Sequence, residues 1–144
     1  MSNSKFNLAL LYKDIVERFG SNNSLFYENE YLTFDDMDLY SSKVANYFAK
    51  VGLKNHDVVA ISPDKSTITY VIILACIKCG ITYSFFDTSI PVYRLKKQFQ
   101  ILNPKYLILH DKNFKKDLLN VEKILSVDQI KEKSNLESST IMIY

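Results

Sequence analysis

Apolar positions recur along the chain in two rhythms, a helical one and short continuous runs, and their alternation predicts a layered α/β domain. Over residues 8–19 the residues Leu8, Leu11, Ile15, Val16 and Phe19 stand at helical spacing, with Lys13, Asp14, Glu17 and Arg18 left for the other face, and Gly20 closes the helix as a cap. Two short strands, 24–27 and 30–32, flank a hairpin turn at Glu28-Asn29. Thr33-Phe34-Asp35-Asp36 has the form of a capping box. The helix it starts carries Met37, Tyr40, Val44, Phe48 and Val51 as one stripe and ends at Gly52.

Residues 58–61 (Val-Val-Ala-Ile) form an unbroken apolar run, the pattern of a strand covered on both faces in a parallel sheet. Residues 67–79 are long enough for a helix but apolar nearly all round, which requires burial. After Gly80 a strand at 81–86 completes a βαβ unit, whose default is a parallel pairing with a right-handed crossover. Asp87, Thr88 or Ser89 is then expected to cap a helix with Pro91 in its first turn, Leu95, Phe99 and Leu102 inward, and Asn103-Pro104 as its stop. A third buried strand is expected at 106–109, a short basic helix at 113–119 and a fourth strand at 124–127. Residues 128–139 read as a polar surface loop, and 141–144 as the start of a further strand, expected to be unpaired.

Composition narrows the classes of function. At 144 residues, 47% hydrophobic and 24% charged, the chain can bury one core. A net charge of +2 supplies no footprint for nucleic acid or membrane. The polar start and the lack of a long apolar run favour a cytosolic, hence cytoplasmic, location, and two cysteines three apart fit a reducing compartment. The three glycines are scattered, and neither G-x-G-x-x-G nor G-x-x-x-x-G-K-[ST] occurs, so no backbone cradle for phosphate is legible.

The candidate chemistry is sparse. Cys76-Ile77-Lys78-Cys79 has C-x-x-C spacing, but both thiols fall in the last helical turn, where the dipole favours the protonated form. Only His56 and His110 could complete a zinc site. Packing is therefore the expected role of both cysteines. Asp87 and Arg94 are expected as a helix cap and a surface or interdomain ion-pair partner; Tyr70, Tyr83, Tyr93 and Tyr106 as packing residues; His56 and His110 as solvated side chains.

Three stretches carry a resemblance to adenylate-forming (AMP-dependent synthetase/ligase) enzymes, above all to the amino-acid adenylation domains of nonribosomal peptide synthetases. Leu32-Thr33-Phe34-Asp35-Asp36-Met37 resembles the first core motif, L-[TS]-Y-x-E-L. Ile77-Lys78-Cys79-Gly80-Ile81-Thr82-Tyr83-Ser84-Phe85-Phe86-Asp87 resembles the second, L-K-A-G-x-A-Y-V-P-[IL]-D. The sequence Thr88-Ser89-Ile90-Pro91-Val92-Tyr93-Arg94-Leu95 keeps Ser, Pro, Arg and Leu of the continuation P-S-Y-P-x-x-R-L. Finally, residues 140–144 resemble the strand that leads into the third motif. Cys79, Thr82, Ser84, Phe85 and Thr88 depart from these patterns.

The resemblance implies a mainly parallel sheet flanked by helices, the first subdomain of the large amino-terminal domain of such an enzyme, with residues 1–144 read as a truncated adenylation domain. It implies ATP and Mg for the complete enzyme. It carries no catalytic, cofactor-binding or metal-binding role to any residue here, because the family places its phosphate-holding loop directly after the strand that residues 140–144 resemble, and the other functional groups beyond that loop. The expected function is that of an amino-terminal fragment of an ATP-dependent carboxylic-acid ligase, of which the acid is an amino acid, inactive alone and binding no cofactor. Its expected partner is the remainder of the domain or a complementary polypeptide. The alternative is an assembly module that docks onto such a chain or self-associates.

Overall fold

The computed structural model describes residues 7–111, 114, 119, 123–136 and 142–143. Helix α1 (Leu8–Phe19) leads to the antiparallel hairpin β1 (Asn23–Tyr27) and β2 (Glu30–Thr33), followed by α2 (Phe34–Lys50). Then come β3 (Val58–Ile61), α3 (Thr67–Cys79), β4 (Thr82–Phe85), α4 (Val92–Leu102), β5 (Tyr106–Leu109), β6 (Ile124–Ser126), α5 (Val127–Lys133) and β7 (Met142–Ile143). Strands β4-β3-β5-β6, in that spatial order, make an all-parallel sheet; β1-β2-β7 make a small antiparallel one.

Period-2 alternation divides the parallel sheet between two cores. Val59, Ile61, Tyr106, Ile108 and Leu125 face α2, α3 and α5, whereas Ala60, Leu107 and Leu109 face Leu95 and Phe99 of α4. Phe86 joins the second core edge-on to Phe99, with ring centroids 5.1 Å apart. The two-sided burial expected of residues 58–61 and 106–109 follows directly from this arrangement.

Local signals set most boundaries. The Thr33 hydroxyl accepts from the N–H of Asp36 (3.1 Å) and the Asp36 carboxylate accepts from the N–H of Thr33 (3.0 Å), completing the capping box of α2. Gly80 ends α3 at φ +64°, and its N–H donates to the carbonyl of Ile77. An added Cβ there would also run into the side chain of Asn55.

Several expectations need correction. Gly20 ends α1 as expected, but with right-handed φ of −45°, and the reason for a glycine is space: its missing side chain makes room for the Asp35 carboxylate. The apolar stripe of α1 does not face inward: Leu8, Leu11, Ile15 and Phe19 are exposed, and the helix rests on the fold through Tyr12, tilted against Phe34. None of Asp87, Thr88 and Ser89 caps α4; Pro91 is its N-cap and the Asp87 carboxylate instead accepts from the N–H and hydroxyl of Ser89. The polar stretch 128–139 is not a continuous loop, because Ser126 caps α5 by accepting from the N–H of Gln129, and Val127 and Ile130 are buried. The closing strand is paired: β7 lies antiparallel to β2, with Glu30 opposite Ile143. The helix expected at 113–119 lies, apart from Phe114 and Leu119, outside the described residues.

Two substitutions separate these local causes. Gly80→Ala is expected to lose about 1–3 kcal/mol of unfolding free energy, through left-handed strain and the clash with Asn55. Thr33→Ala is expected to lose about 1 kcal/mol, the cost of an N-cap. Urea denaturation reads both, and a neutral Gly80→Ala would refute the packing assigned to that position.

Candidate functional site

The parallel sheet reverses its order between β3 and β5: the chain moves from β3 outward to β4, then returns to the opposite side for β5. In open parallel sheets, the crevice beyond the carboxyl ends of strands at such a reversal is where ligands sit. A cavity of about 240 Å³ opens there, lined by Ser62, Pro63 and Asp64 after β3, Thr88 after β4, and Leu109, His110, Asp111 and Phe114 at and after the end of β5.

His110 organises this crevice. Its backbone N–H donates to the Ser62 hydroxyl at 2.8 Å, and the Ser62 N–H donates to the carbonyl of Ile108 at 2.9 Å, so both strand ends are tied together. The ring Nε2 lies 3.0 Å from the buried Thr69 hydroxyl in the first turn of α3, and Nδ1 lies 3.9 Å from Asp64. The ring is therefore not solvated, as expected from sequence, but only 13% exposed. Asp64 in turn accepts from the N–H of Ser66 at 2.6 Å.

Burial pushes the His110 imidazole below its ordinary pKa, and Asp64 only partly offsets this. Burial would raise the Asp64 carboxyl, but the bonds from Ser66 and the neighbouring His110 outweigh it and hold the group below the usual range. The arrangement binds loops to strands rather than activating a nucleophile, since the Thr69 hydroxyl is sealed in the core. Two carboxylates line the cavity, and this donor set does not fit the triphosphate of ATP. Among the described residues, no three His, Cys, Asp or Glu side chains converge as metal ligands.

The other candidates are dispersed. Burial pushes the Cys76 thiol up to about 12 and also raises Cys79, so neither is a poised thiolate. Both are free, and the Cys79 Sγ lies 3.9 Å from the Ala45 carbonyl. Arg94 Nε donates to the Tyr93 hydroxyl, away from Asp87, whose partner is Ser89. His56 sits in a turn at φ +69°. Tyr106 is buried and donates to the Val51 carbonyl at 2.8 Å; Tyr70, Tyr83 and Tyr93 are exposed, contrary to their expected packing role. The crevice itself escaped the sequence reading, which gave no role in a site to Ser62, Pro63 or Asp64. The available signal was a pair of polar segments directly following two fully apolar strands.

The coupling has a pH signature. His110 has its folded pKa below the unfolded value of 6.5, so its neutral form supports the fold fully above that pH, and stability falls as the pH drops below it. The midpoint of urea unfolding should therefore decline from pH 7.5 to about 5.5, before Asp64 titrates, and His110→Gln should flatten that decline. An unchanged slope in His110→Gln would remove His110 from this role.

Comparison with known proteins places the chain. The profile of the AMP-binding enzyme family, described as "AMP-binding enzyme", matches residues 12–143. Nonribosomal peptide synthetase sidD of Aspergillus fumigatus is 30% identical over 103 residues, which cover 72% of this chain and 5% of that protein. Nonribosomal peptide synthetase 2 of Gibberella zeae is 28% identical over 110 residues, covering 72% of this chain and 2% of its own length. Among solved structures, the NpsA N-terminal subdomain of Klebsiella oxytoca superposes with a TM-score of 0.77 at 17% identity, over 96% of this chain and 35% of that one. This chain thus spans a small fraction of its curated relatives and about a third of that subdomain.

Proposed function

Since the chain belongs to the AMP-binding enzyme family, we propose that it is the amino-terminal part of a ligase that uses ATP to convert a carboxylic acid, here an amino acid, into an acyl-adenylate. The match over residues 12–143 carries this reading. The choice of an amino acid rests on the similarity to nonribosomal peptide synthetases. In this reading residues 1–144 contribute scaffold, and the groups that hold ATP, Mg and the amino acid come from additional polypeptide.

The role of scaffold agrees with what the described residues offer. Lys78 spends its ammonium on the α2–α3 contact, donating to the Asp38 carbonyl and carboxylate and to the Ser42 hydroxyl at 2.7–2.9 Å. Lys105 likewise ties the Gly52 carbonyl to Asp57. These cations are engaged in holding elements together, leaving neither as a free phosphate ligand.

Docking onto a complementary polypeptide is a second reading, favoured by the exposed stripe Leu8, Leu11, Ile15 and Phe19 on α1. The occupant would be the polypeptide that supplies the rest of an adenylation domain, in line with the greater length of the superposed NpsA subdomain.

Amino-acid-dependent ATP–pyrophosphate exchange tests the proposal. Residues 1–144 alone should show none with any of the common amino acids, whereas the chain joined in frame to the remaining part of a nonribosomal adenylation domain should regain it. Exchange by the isolated chain would overturn the scaffold role; a cooperatively folded fusion without exchange would overturn the family activity.

A further inference from the structure

The outer face of α4 has features that neither the core nor the proposed ligase function uses. Only Leu95 and Phe99 of this helix are buried. At about 100° per residue, Tyr93, Arg94, Lys97 and Ile101 fall within one arc of roughly 100° on the side opposite that seam, with Lys96 beside it. Tyr93 is 68% and Ile101 79% exposed, values that leave both large side chains in water.

The charge on this helix is one-sided. Its sequence, V-Y-R-L-K-K-Q-F-Q-I-L, holds three cations and no carboxylate. All three lie within its first six residues, and Arg94 falls in the first turn, where the positive end of the dipole disfavours a cation. Among the described residues no carboxylate pairs with Arg94, Lys96 or Lys97. The guanidinium of Arg94 is instead held beside its neighbour, Nε 3.1 Å from the Tyr93 hydroxyl and Cζ 5.9 Å from the ring centroid. A cation kept against the helix dipole next to an exposed aromatic ring is a feature of recognition surfaces, which enrich Tyr and Arg.

We propose that the Tyr93–Arg94–Lys97–Ile101 face of α4 is a docking surface for an acidic amphipathic helix of a partner protein. Carboxylates of the partner would pair with Arg94 and Lys97, and its apolar side chains would cover Tyr93 and Ile101. A protein is favoured over nucleic acid or an anionic membrane because the basic footprint is only three residues wide and the exposed Tyr93 and Ile101 flank Lys97 on either side along the helix. The inference does not depend on the adenylation reading, since it concerns a surface rather than a reaction.

The test uses the full chain and defined probes. A synthetic helical peptide with Glu and Leu at i, i+4 spacing is titrated while backbone amide shifts are followed by NMR; a Gln-for-Glu version, a single-stranded oligonucleotide and phosphatidylserine vesicles are run in parallel. The acidic peptide should shift residues 92–101, bind about tenfold more tightly than its Gln version, and weaken about tenfold as salt rises from ~0.05 to ~0.5 M. The double variant R94E/K97E should lose the binding with an unchanged thermal midpoint, whereas K13E/K50E, which reverses charge on α1 and α2, should keep it. Equal binding to R94E/K97E, shifts centred elsewhere, or tighter binding of the oligonucleotide or vesicles would overturn the proposal.

Discussion

A helix that is apolar on nearly every side cannot rest on a sheet alone, and the need to cover α3 governs the rest of this fold. Val71, Ile72, Ala75 and Cys76 are sealed. One side of α3 meets the parallel sheet through the core shared with Val59, Ile61 and Ile108; the other is closed by Met37, Tyr40, Val44 and Phe48 of α2. Lys78 then fastens the two helices with three hydrogen bonds that use all its donors, and its side chain is largely covered. At the opposite end of α3, the Thr67 hydroxyl donates to Glu30 of β2 at 2.9 Å and Thr69 meets His110. The same helix thus connects both sheets to the crevice.

Much of this could be read from the residues because the relevant signals are local. The capping box at Thr33, the apolar run 58–61 and the glycine after Cys79 each fix a boundary without help from tertiary contacts. The sequence also indicated parallel pairing of β3 with β4, since a βαβ unit has few other solutions. Family membership followed from side-chain identities around Gly80 and Asp87 rather than from chemistry.

What could not be read depends on contacts distant in sequence. Helix α5 is seven residues long and mostly polar, and only Val127 and Ile130 reveal that it has an inner side. Gly20 reads as a helix stop, but the reason for a glycine is Asp35, fifteen positions on and folded back against it. His110 reads as an isolated polar residue at a strand end. Its partners come from the β3–α3 loop and from α3, separated from it by more than forty residues. Sequence spacing has no way to announce a cluster assembled by topology, which is why the crevice appears only once strand order is known.

If cover for α3 is the governing constraint, amides within α3 and β3 should open only when the whole domain unfolds, while α1, which buries no residue, should open far more readily. Native-state hydrogen exchange in low urea measures this directly. The account predicts that the slowest amides of α3 and β3 exchange with the free energy and urea dependence of global unfolding, and that α1 exchanges through small, urea-insensitive fluctuations. Exchange of α3 at a free energy well below the global value, or as easily as α1, would contradict it.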